Sequence, residues 1–354
     1  MLARLKRWLT WFVSLLAGVY APLVLVYWLL RWLAGDRWWW LAFLNNFAVW
    51  YFLPLVVLLP LALLARSRRG LLLLLPVTVF AVVLIVPYYV PSARAAADGP
   101  ALRVVTFNIW GGNGRLGNGH YENVAAWLRE VDADVVLLQE VPRSQRTRED
   151  GFLGLGDRYA GQIAYDSDDW TNAILTRLPV IAQESHDMTD TQPRYQRVVV
   201  EFEGEQIAIY SVHAVLPVGR LPHIDFPVRS LYESVLLRYD ESVRNVQLDF
   251  LLDRLASETL PYVVAGDFNT GDQTLAYTHL AAQMHDSFRE VGAGYSATWP
   301  LAVVRGDTWA WVPPLVRIDY VWHSDGWVAQ TATRGPALGS DHLPVMATLA
   351  RVTP

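Results

Sequence analysis

The stretch Tyr262-Val263-Val264-Ala265-Gly266-Asp267-Phe268-Asn269 decides how the larger part of this chain is read. Four residues of strand-forming character run into a glycine, and two polar side chains then bracket an aromatic one. Such a run predicts a short buried strand whose C-terminal end carries Asp267 and Asn269 to the rim of a sheet. Taken alone, the same letters are also ordinary turn chemistry. The pattern gains weight because it recurs. Further strands are predicted over 102–108, 134–139, 172–175, 197–202, 206–213, 319–323 and 345–350, and several of them end on an acid, an amide or a histidine. Asn108 closes the first, Glu140 follows the second, and His213 closes the run from 206. Asp319 opens its own run, and Asp341-His342 follow Gly339-Ser340. Strand ends at one rim are where a rigid scaffold presents polar groups to a shared cleft.

Between the strands, 3.6-residue apolar spacing predicts helices over 121–131 and 231–256. Intercalated helices with tight strand-to-strand turns, such as 202–205, point to mixed rather than purely parallel sheets. No internal repeat or low-complexity tract interrupts the pattern.

Upstream of residue 100 the texture is different. Residues 1–99 hold half of the 16 Trp, the sole Lys (Lys6) and just two acids, Asp36 and Asp98. They also carry nine basic residues; removing these from totals of 29 basic and 34 acidic leaves 20 and 32 in the remainder, a net charge of −12. A basic, greasy piece therefore precedes an acidic globular one. Apolar stretches run over 8–33, 41–65 and 71–90. Each reaches the ~20 residues that cross ~30 Å of hydrocarbon as a helix. Pro22, Pro54, Pro60, Pro76 and Pro87 are tolerated in membrane helices, and Trp38, Trp39 and Trp40 suit an interfacial aromatic belt. The expected organisation is a membrane anchor of about three transmembrane helices over 1–91, a linker over 92–101 and a catalytic domain over 102–354. The small residues Ser92 and Ala93 to Ala97 resemble a cleavage site but read better as linker, since the apolar segment before them is the third. Arg4, Lys6 and Arg7 before the first span, and Arg66, Arg68 and Arg69 after the second, outnumber Arg31 and Arg37 between them. The excess places the N-terminus inside the cell and, with three crossings, the catalytic domain outside the cytoplasm.

The chain has no cysteine, which excludes disulfides, thiolate nucleophiles and Cys-ligated zinc. A net −12 domain lacks the basic footprint of non-specific nucleic-acid binding. The remaining Asn, Glu and Asp make a hard oxygen-donor set that suits Mg²⁺ or Mn²⁺.

The series TFNIW (106–110), LLQE (137–140), SVHA (211–214), GDFN (266–269), TWP with RIDY (298–300, 317–320) and SDH (340–342) resembles the endonuclease/exonuclease/phosphatase superfamily. That group includes deoxyribonuclease I, exonuclease III-type nucleases, neutral sphingomyelinases and inositol polyphosphate 5-phosphatases. The resemblance spans about 102–350 and implies an α/β four-layered sandwich, two mixed β-sheets packed face to face and flanked by helices. It further implies that Glu140 is the principal metal-binding carboxylate, with Asn108 beside it and Asp341 helping to hold metal or His342. His342 is implied as base or electrostatic partner at the attacked phosphate, and Asp319 as the carboxylate that fixes its tautomer. Asp267 is implied to orient or deprotonate the attacking water, Asn269 to donate to the phosphate, and His213 to serve the leaving oxygen. Singly, each has a structural alternative: Asn108 as a turn cap, Glu140 as a solvated strand end, His342 as a packing residue.

Weaker candidates complete the reading. Asn172 is equally a site group or an edge-turn residue, and Arg197 is expected to cover a strand. Trp299 is expected to pack beneath the site, while His186, His279, His285 and His323 have no metal-like spacing. The stretch 216–239, with His223 and Asp225, inserts apolar residues after His213. The expected protein is a membrane-anchored, divalent-metal-dependent phosphoester hydrolase, its substrate a phospholipid or small phosphoester rather than nucleic acid. An extracytoplasmic nuclease is the alternative, and a catalytically dead scaffold a third. No protein partner is evident.

Overall fold

The computed structural model describes residues 2–90, 99–110, 120–164, 171–185, 195–217, 239–305 and 308–352. The expected linker segment 92–98, His186, and His223 with Asp225 lie outside the described residues. Two compact units divide the chain, Met1–Val90 with Gln273–Leu275 and Pro91–Asp272 with Ala276–Pro354.

The first unit is helical: α1 (Leu2–Ala34), α2 (Trp39–Asn45), a 3₁₀ turn (Ala48–Phe52), α3 (Leu55–Leu64) and α4 (Arg68–Ile85). Small residues line its interior, among them Ala17, Ala21, Ala62 and Ala81, and let the helix backbones approach. Large apolar side chains point outward instead, with Trp32 at 81%, Leu72 at 70% and Val83 at 68% exposure. That distribution suits hydrocarbon, since water would penalise so much exposed apolar surface. Ser67 caps α4 by accepting from Gly70 N (3.1 Å) and shares a 2.8 Å hydrogen bond with Ser14 of α1.

Among the described residues, two helical stretches are long and apolar enough to cross a membrane, Lys6–Ala34 and Arg68–Tyr88. The expected middle span departs from a straight helix: its two halves, Trp39–Asn45 and Ala48–Leu64, meet at 72°. The bend is built by polar anchoring near the break. Asn45 is buried and its Oδ1 accepts from Tyr27 OH (2.7 Å), while Tyr20 OH donates to Tyr51 O (2.7 Å). Pro54, which has no N–H to donate, precedes the first residue of α3.

The second unit is built on two six-stranded sheets. The first contains β1 (Ala101–Asn108), β2 (Val135–Val141), β3 (Gly161–Ala164), β4 (Thr171–Thr176), β13 (Trp327–Arg334) and β14 (Val345–Arg351), in the order β13-β14-β1-β2-β4-β3. The second contains β5 (Val180–Ser185), β6 (Tyr195–Phe202), β7 (Glu205–His213), β8 (Tyr262–Asp267), β9 (His285–Asp286) and β12 (Asp319–His323), in the order β5-β6-β7-β8-β12-β9. A separate hairpin joins β10 (Ala302–Arg305) to β11 (Thr308–Trp311). Each sheet is mixed in the same way: β1 and β2 are parallel, as are β7 and β8, and the flanking strands are antiparallel.

Alternation along the strands sorts side chains into layers. Val104, Val135 and Leu137 of the first sheet meet Ile207, Ile209 and Val263 of the second in the inter-sheet core. The outward residues Val105, Phe107, Val136 and Leu138 pack under α5 (His120–Val131) through Val124 and Leu128. Ala208, Tyr210 and Val264 pack under α7 (Ser242–Ala256) through Leu248, Leu251 and Leu255. A single turn, α6 (Arg143–Arg146), and the short helices α8 (Leu275–Ala281) and α9 (Ser287–Val291) complete the elements. The result is the four-layered sandwich, helix–sheet–sheet–helix. All eight predicted strands are present. The helix expected over 231–256 begins at Ser242 within the described residues, because Asp240 Oδ1 accepts from Ser242 N (2.8 Å) in a local turn; residues 231–238 lie outside them.

Candidate active site

Strand register brings the predicted polar residues together before any side chain is considered. In the second sheet His213 pairs with Asp267, and Asp267 with Asp319, so three neighbouring strands carry them at one level. In the first sheet Asn108 pairs with Gln139, one residue before Glu140. Gly266 is what allows the close register of β7 and β8. A Cβ there would meet Val212 O at 1.9 Å.

Two site residues adopt left-handed backbone conformations that non-glycine residues rarely take, Glu140 (φ 57°) and Asn269 (φ 48°). Glu140 lies where the β2–β4 register shifts between Leu138 and Val141. The bulge re-aims its side chain, as bulges beside functional sites do.

The side chains converge from both sheets. Asn108 Nδ2 donates to Asp267 Oδ2 (3.1 Å) and to Glu140 Oε1 (3.3 Å), and its Oδ1 accepts from Trp110 N (3.0 Å). His213 Nε2 stands 3.8 Å from both Glu140 Oε1 and Asp267 Oδ2. Asn269 donates from its backbone N to Asp267 Oδ1 (2.9 Å), while its Nδ2 bonds Ala214 O (2.8 Å) and Asp267 Oδ2 (3.3 Å). His342 Nδ1 bonds Asp319 Oδ2 (2.9 Å), which leaves Nε2 facing Asp267 Oδ2 at 3.8 Å and Asp341 Oδ1 at 3.9 Å. All eight predicted residues therefore lie in one cluster. Asp267, Asp319 and His342 bring ligand-type atoms within 4.8 Å of one another.

The electrostatics follow from burying so many carboxylates together. Burial pushes the Glu140 carboxyl up to about 7, with the charge of Asp341 adding and His342 and Asn108 pulling back. Burial also raises Asp341 and Asp267, both opposed by His342. For His342 burial works against the charged form, but Asp319, Asp341 and Asp267 outweigh it and hold the imidazole up to about 10. The imidazolium is therefore its ordinary form near neutrality. Asp319 Oδ1 and Asp341 Oδ1 are buried with no hydrogen-bond partner among the described residues. Four clustered carboxyl groups, Asp267 and Asp319 buried and Glu140 and Asp341 half-buried, face one imidazolium, and a divalent cation fits that donor set.

Several supports were not apparent in the sequence. Ser340 Oγ donates to Asn108 O (2.6 Å) and accepts from His342 N (3.1 Å), tying both sides of the site together. Thr298 Oγ1 accepts from Ile318 N (3.2 Å) and Asp319 N (3.3 Å). Arg244, fully buried on α7, donates to Asn269 O (2.9 Å) and pairs with Glu241 (3.0 Å). Trp299 does more than pack, since its Nε1 donates to Asp341 Oδ2 (3.1 Å). Arg197 covers its strand as expected, bound to Glu258 (2.8 Å) and Tyr210 (3.1 Å) away from the cluster. His323 pairs with Glu290 (3.0 Å) and His285 with Asp325 (2.7 Å), both outside the site.

The sequence pattern described as the Endonuclease/Exonuclease/phosphatase family matches residues 105–342. The chain belongs to this family. Its members hydrolyse phosphoester bonds and typically use divalent metal ions. No curated protein matches the chain by sequence. Solved structures share the family's fold. A family protein from Leptotrichia buccalis C-1013-b is 16% identical with a TM-score of 0.51, covering 70% of this chain and 99% of that one. A family protein from Bacteroides vulgatus is 18% identical with a TM-score of 0.53, covering 71% and 99%. D. rerio TDP2, complexed with a single-strand DNA product, is 15% identical with a TM-score of 0.52, covering 70% and 98%. At these identities the likeness is one of fold.

Proposed function

We propose that the protein is a membrane-tethered, divalent-metal-dependent hydrolase of phospholipids or small phosphoesters. The observation that carries this reading is the convergence of the His342–Asp319 pair, Asp267, His213 and Glu140 on one buried cluster at the sheet rims. The cation would be held by Glu140 and Asp341 with Asn108, since Asp319 is already hydrogen-bonded to His342 and the Asp341 Oδ1 atom is buried with no hydrogen bond among the described residues. When bound, Mg²⁺ or Mn²⁺ would neutralise phosphoryl charge as the transition state forms. His342, held toward its charged form by Asp319, Asp341 and Asp267, is placed to donate Nε2–H to a phosphoryl oxygen. Asp267, oriented by Asn108 and Asn269, takes the proton of the attacking water. His213 supplies a proton to the leaving oxygen.

The acidic balance of residues 100–354 favours lipid or small phosphoesters, and a bilayer tether raises the effective concentration of membrane substrates. A nuclease is the second reading, supported by the fold shared with a structure that holds a DNA product. The full chain in detergent, incubated with labelled phospholipid, bis-p-nitrophenyl phosphate and plasmid DNA, each with Mg²⁺ and with chelator, separates the two. Chelator-sensitive turnover of the first two substrates is expected; cleavage of plasmid alone would establish the nuclease.

Orientation is proposed on the basic residues near the two ends of α1 and at the start of α4. If the bent segment crosses the bilayer, the catalytic unit faces outward, which we favour. A re-entrant segment would return it to the side of the N-terminus.

A further inference from the structure

Ile174 on β4, Val198 and Val200 on β6, and Ile207 and Ile209 on β7 all join the core between the sheets. Side chains alternate along a strand, so Asn172, Gln196 and Ser211 face that same space. Each lies one step closer to the site end than its apolar neighbour on the strand. All three are 0% exposed. Among the described residues, neither amide atom of Asn172, neither amide atom of Gln196, nor the Ser211 hydroxyl has a hydrogen-bond partner.

These groups are also close in register. Gln196 is paired directly with Ser211, and β4 packs across the sandwich against β7. Asn172 stands opposite the bulge that carries Gln139 and Glu140, between the pairs Leu138–Ala173 and Val141–Thr171. The next residue on the Ser211 face of β7 is His213. Five unpartnered buried polar atoms would each carry the desolvation penalty of an unsatisfied group, together comparable to the stability of a whole domain. They must therefore be satisfied. Two carboxamides and a hydroxyl carry no charge, and each both donates and accepts. Their chemistry selects water rather than an ion, and polar internal sites of this kind hold ordered water.

We propose that Asn172, Gln196 and Ser211 enclose an internal water site between the two sheets, one side-chain layer beneath Glu140 and His213. Its water links Asn172 on the first sheet to Gln196 and Ser211 on the second. It thereby sets the separation between Glu140 on one sheet and His213 and Asp267 on the other, and Asn172 is a positioning residue. The consequence for metal rests on the function proposed above; the water site itself does not.

A high-resolution crystal structure of the full chain should show water within hydrogen-bond distance of at least two of the three side chains. Closure of the space by direct hydrogen bonds among them, or a dry gap, would overturn the proposal. Asn172→Leu should lower the thermal midpoint by stranding Gln196 and Ser211, and should weaken Mn²⁺ binding by calorimetry about tenfold. Asn172→Ser, which keeps a donor and an acceptor, should recover most of both. A raised midpoint with unchanged Mn²⁺ affinity in Asn172→Leu would mean the site is dry. Failure of the wild type to bind Mn²⁺ would count against the metal reading, while the crystallographic water still decides the site.

Discussion

His342 Nδ1 lies 2.9 Å from Asp319 Oδ2, and the two side chains reach the same cluster from different sheets. The pair holds His342 positively charged well above the ordinary imidazole range. Replacing Asp319 by Asn keeps the shape but removes the charge that sustains the imidazolium. Turnover should fall about 10²- to 10⁴-fold, as when a buried carboxylate partner of a catalytic histidine is neutralised. His342→Ala should fall as far, and the double variant little further, since the two residues act as one unit. Additive losses in kcat would show that they do not.

The same pair makes stability depend on pH with a defined sign. A group whose pKa is raised on folding contributes most below its unfolded value, and the contribution disappears as pH rises through the folded value. His342 is raised from 6.5 to about 10, so its share should be complete below about 6.5 and lost by about 10. Thermal midpoints measured in chelator across that range should decline in the wild type. The decline should be shallower in Asp319→Asn.

Metal binding should carry the opposite dependence. Glu140 is raised from 4.5 to about 7, so protons compete for it up to near neutrality. Mn²⁺ affinity by calorimetry should rise between about pH 5 and 7, with proton release, and Glu140→Gln should abolish the pH dependence together with most of the binding. An unchanged affinity in Glu140→Gln would move the cation away from this residue.

Arg244 tests whether α7 positions the site. Arg244→Met removes the donor to Asn269 O and leaves Glu241 without its cationic partner. A loss of about 3–5 kcal/mol of stability is expected from chemical denaturation. Arg244→Lys should retain the charge yet lower kcat more than it raises KM, because a single ammonium cannot replace the forked contacts.

The 72° bend within the first unit is testable through the complete absence of native cysteine. A single cysteine at exposed Ala160 should react with an impermeant thiol reagent on intact cells if the bent segment crosses the bilayer. Labelling only after lysis would make that segment re-entrant and place the catalytic unit in the cytoplasm.

The sequence revealed the site's residue types more readily than its supports. Asn108, Glu140, Asp267 and His342 stand out because each interrupts or ends an apolar run, where a polar side chain must face a rim. Ser340, Thr298 and Arg244 carry no such signal, since their partners lie up to 232 residues away and are set by packing. The strands found from sequence are those with β-branched cores. β3, β5, β9, β10, β11 and β13 were missed, and the polar β13, Trp327 to Arg334, exposes alternate stretches to solvent. Hydropathy likewise registered 41–65 as one span, because apolar content is blind to a break held by Asn45 and Tyr27.

The final strand of the chain, β14, occupies an interior position of the first sheet, between β13 and β1. Asp341 and His342 immediately precede it. Synthesis must therefore run past residue 351 before β1 gains its second neighbour, and past His342 before that side chain can reach Asp319. The apolar helices within residues 2–85 are complete long before that point, so on the proposed tethered reading the cluster assembles after those helices are free to insert.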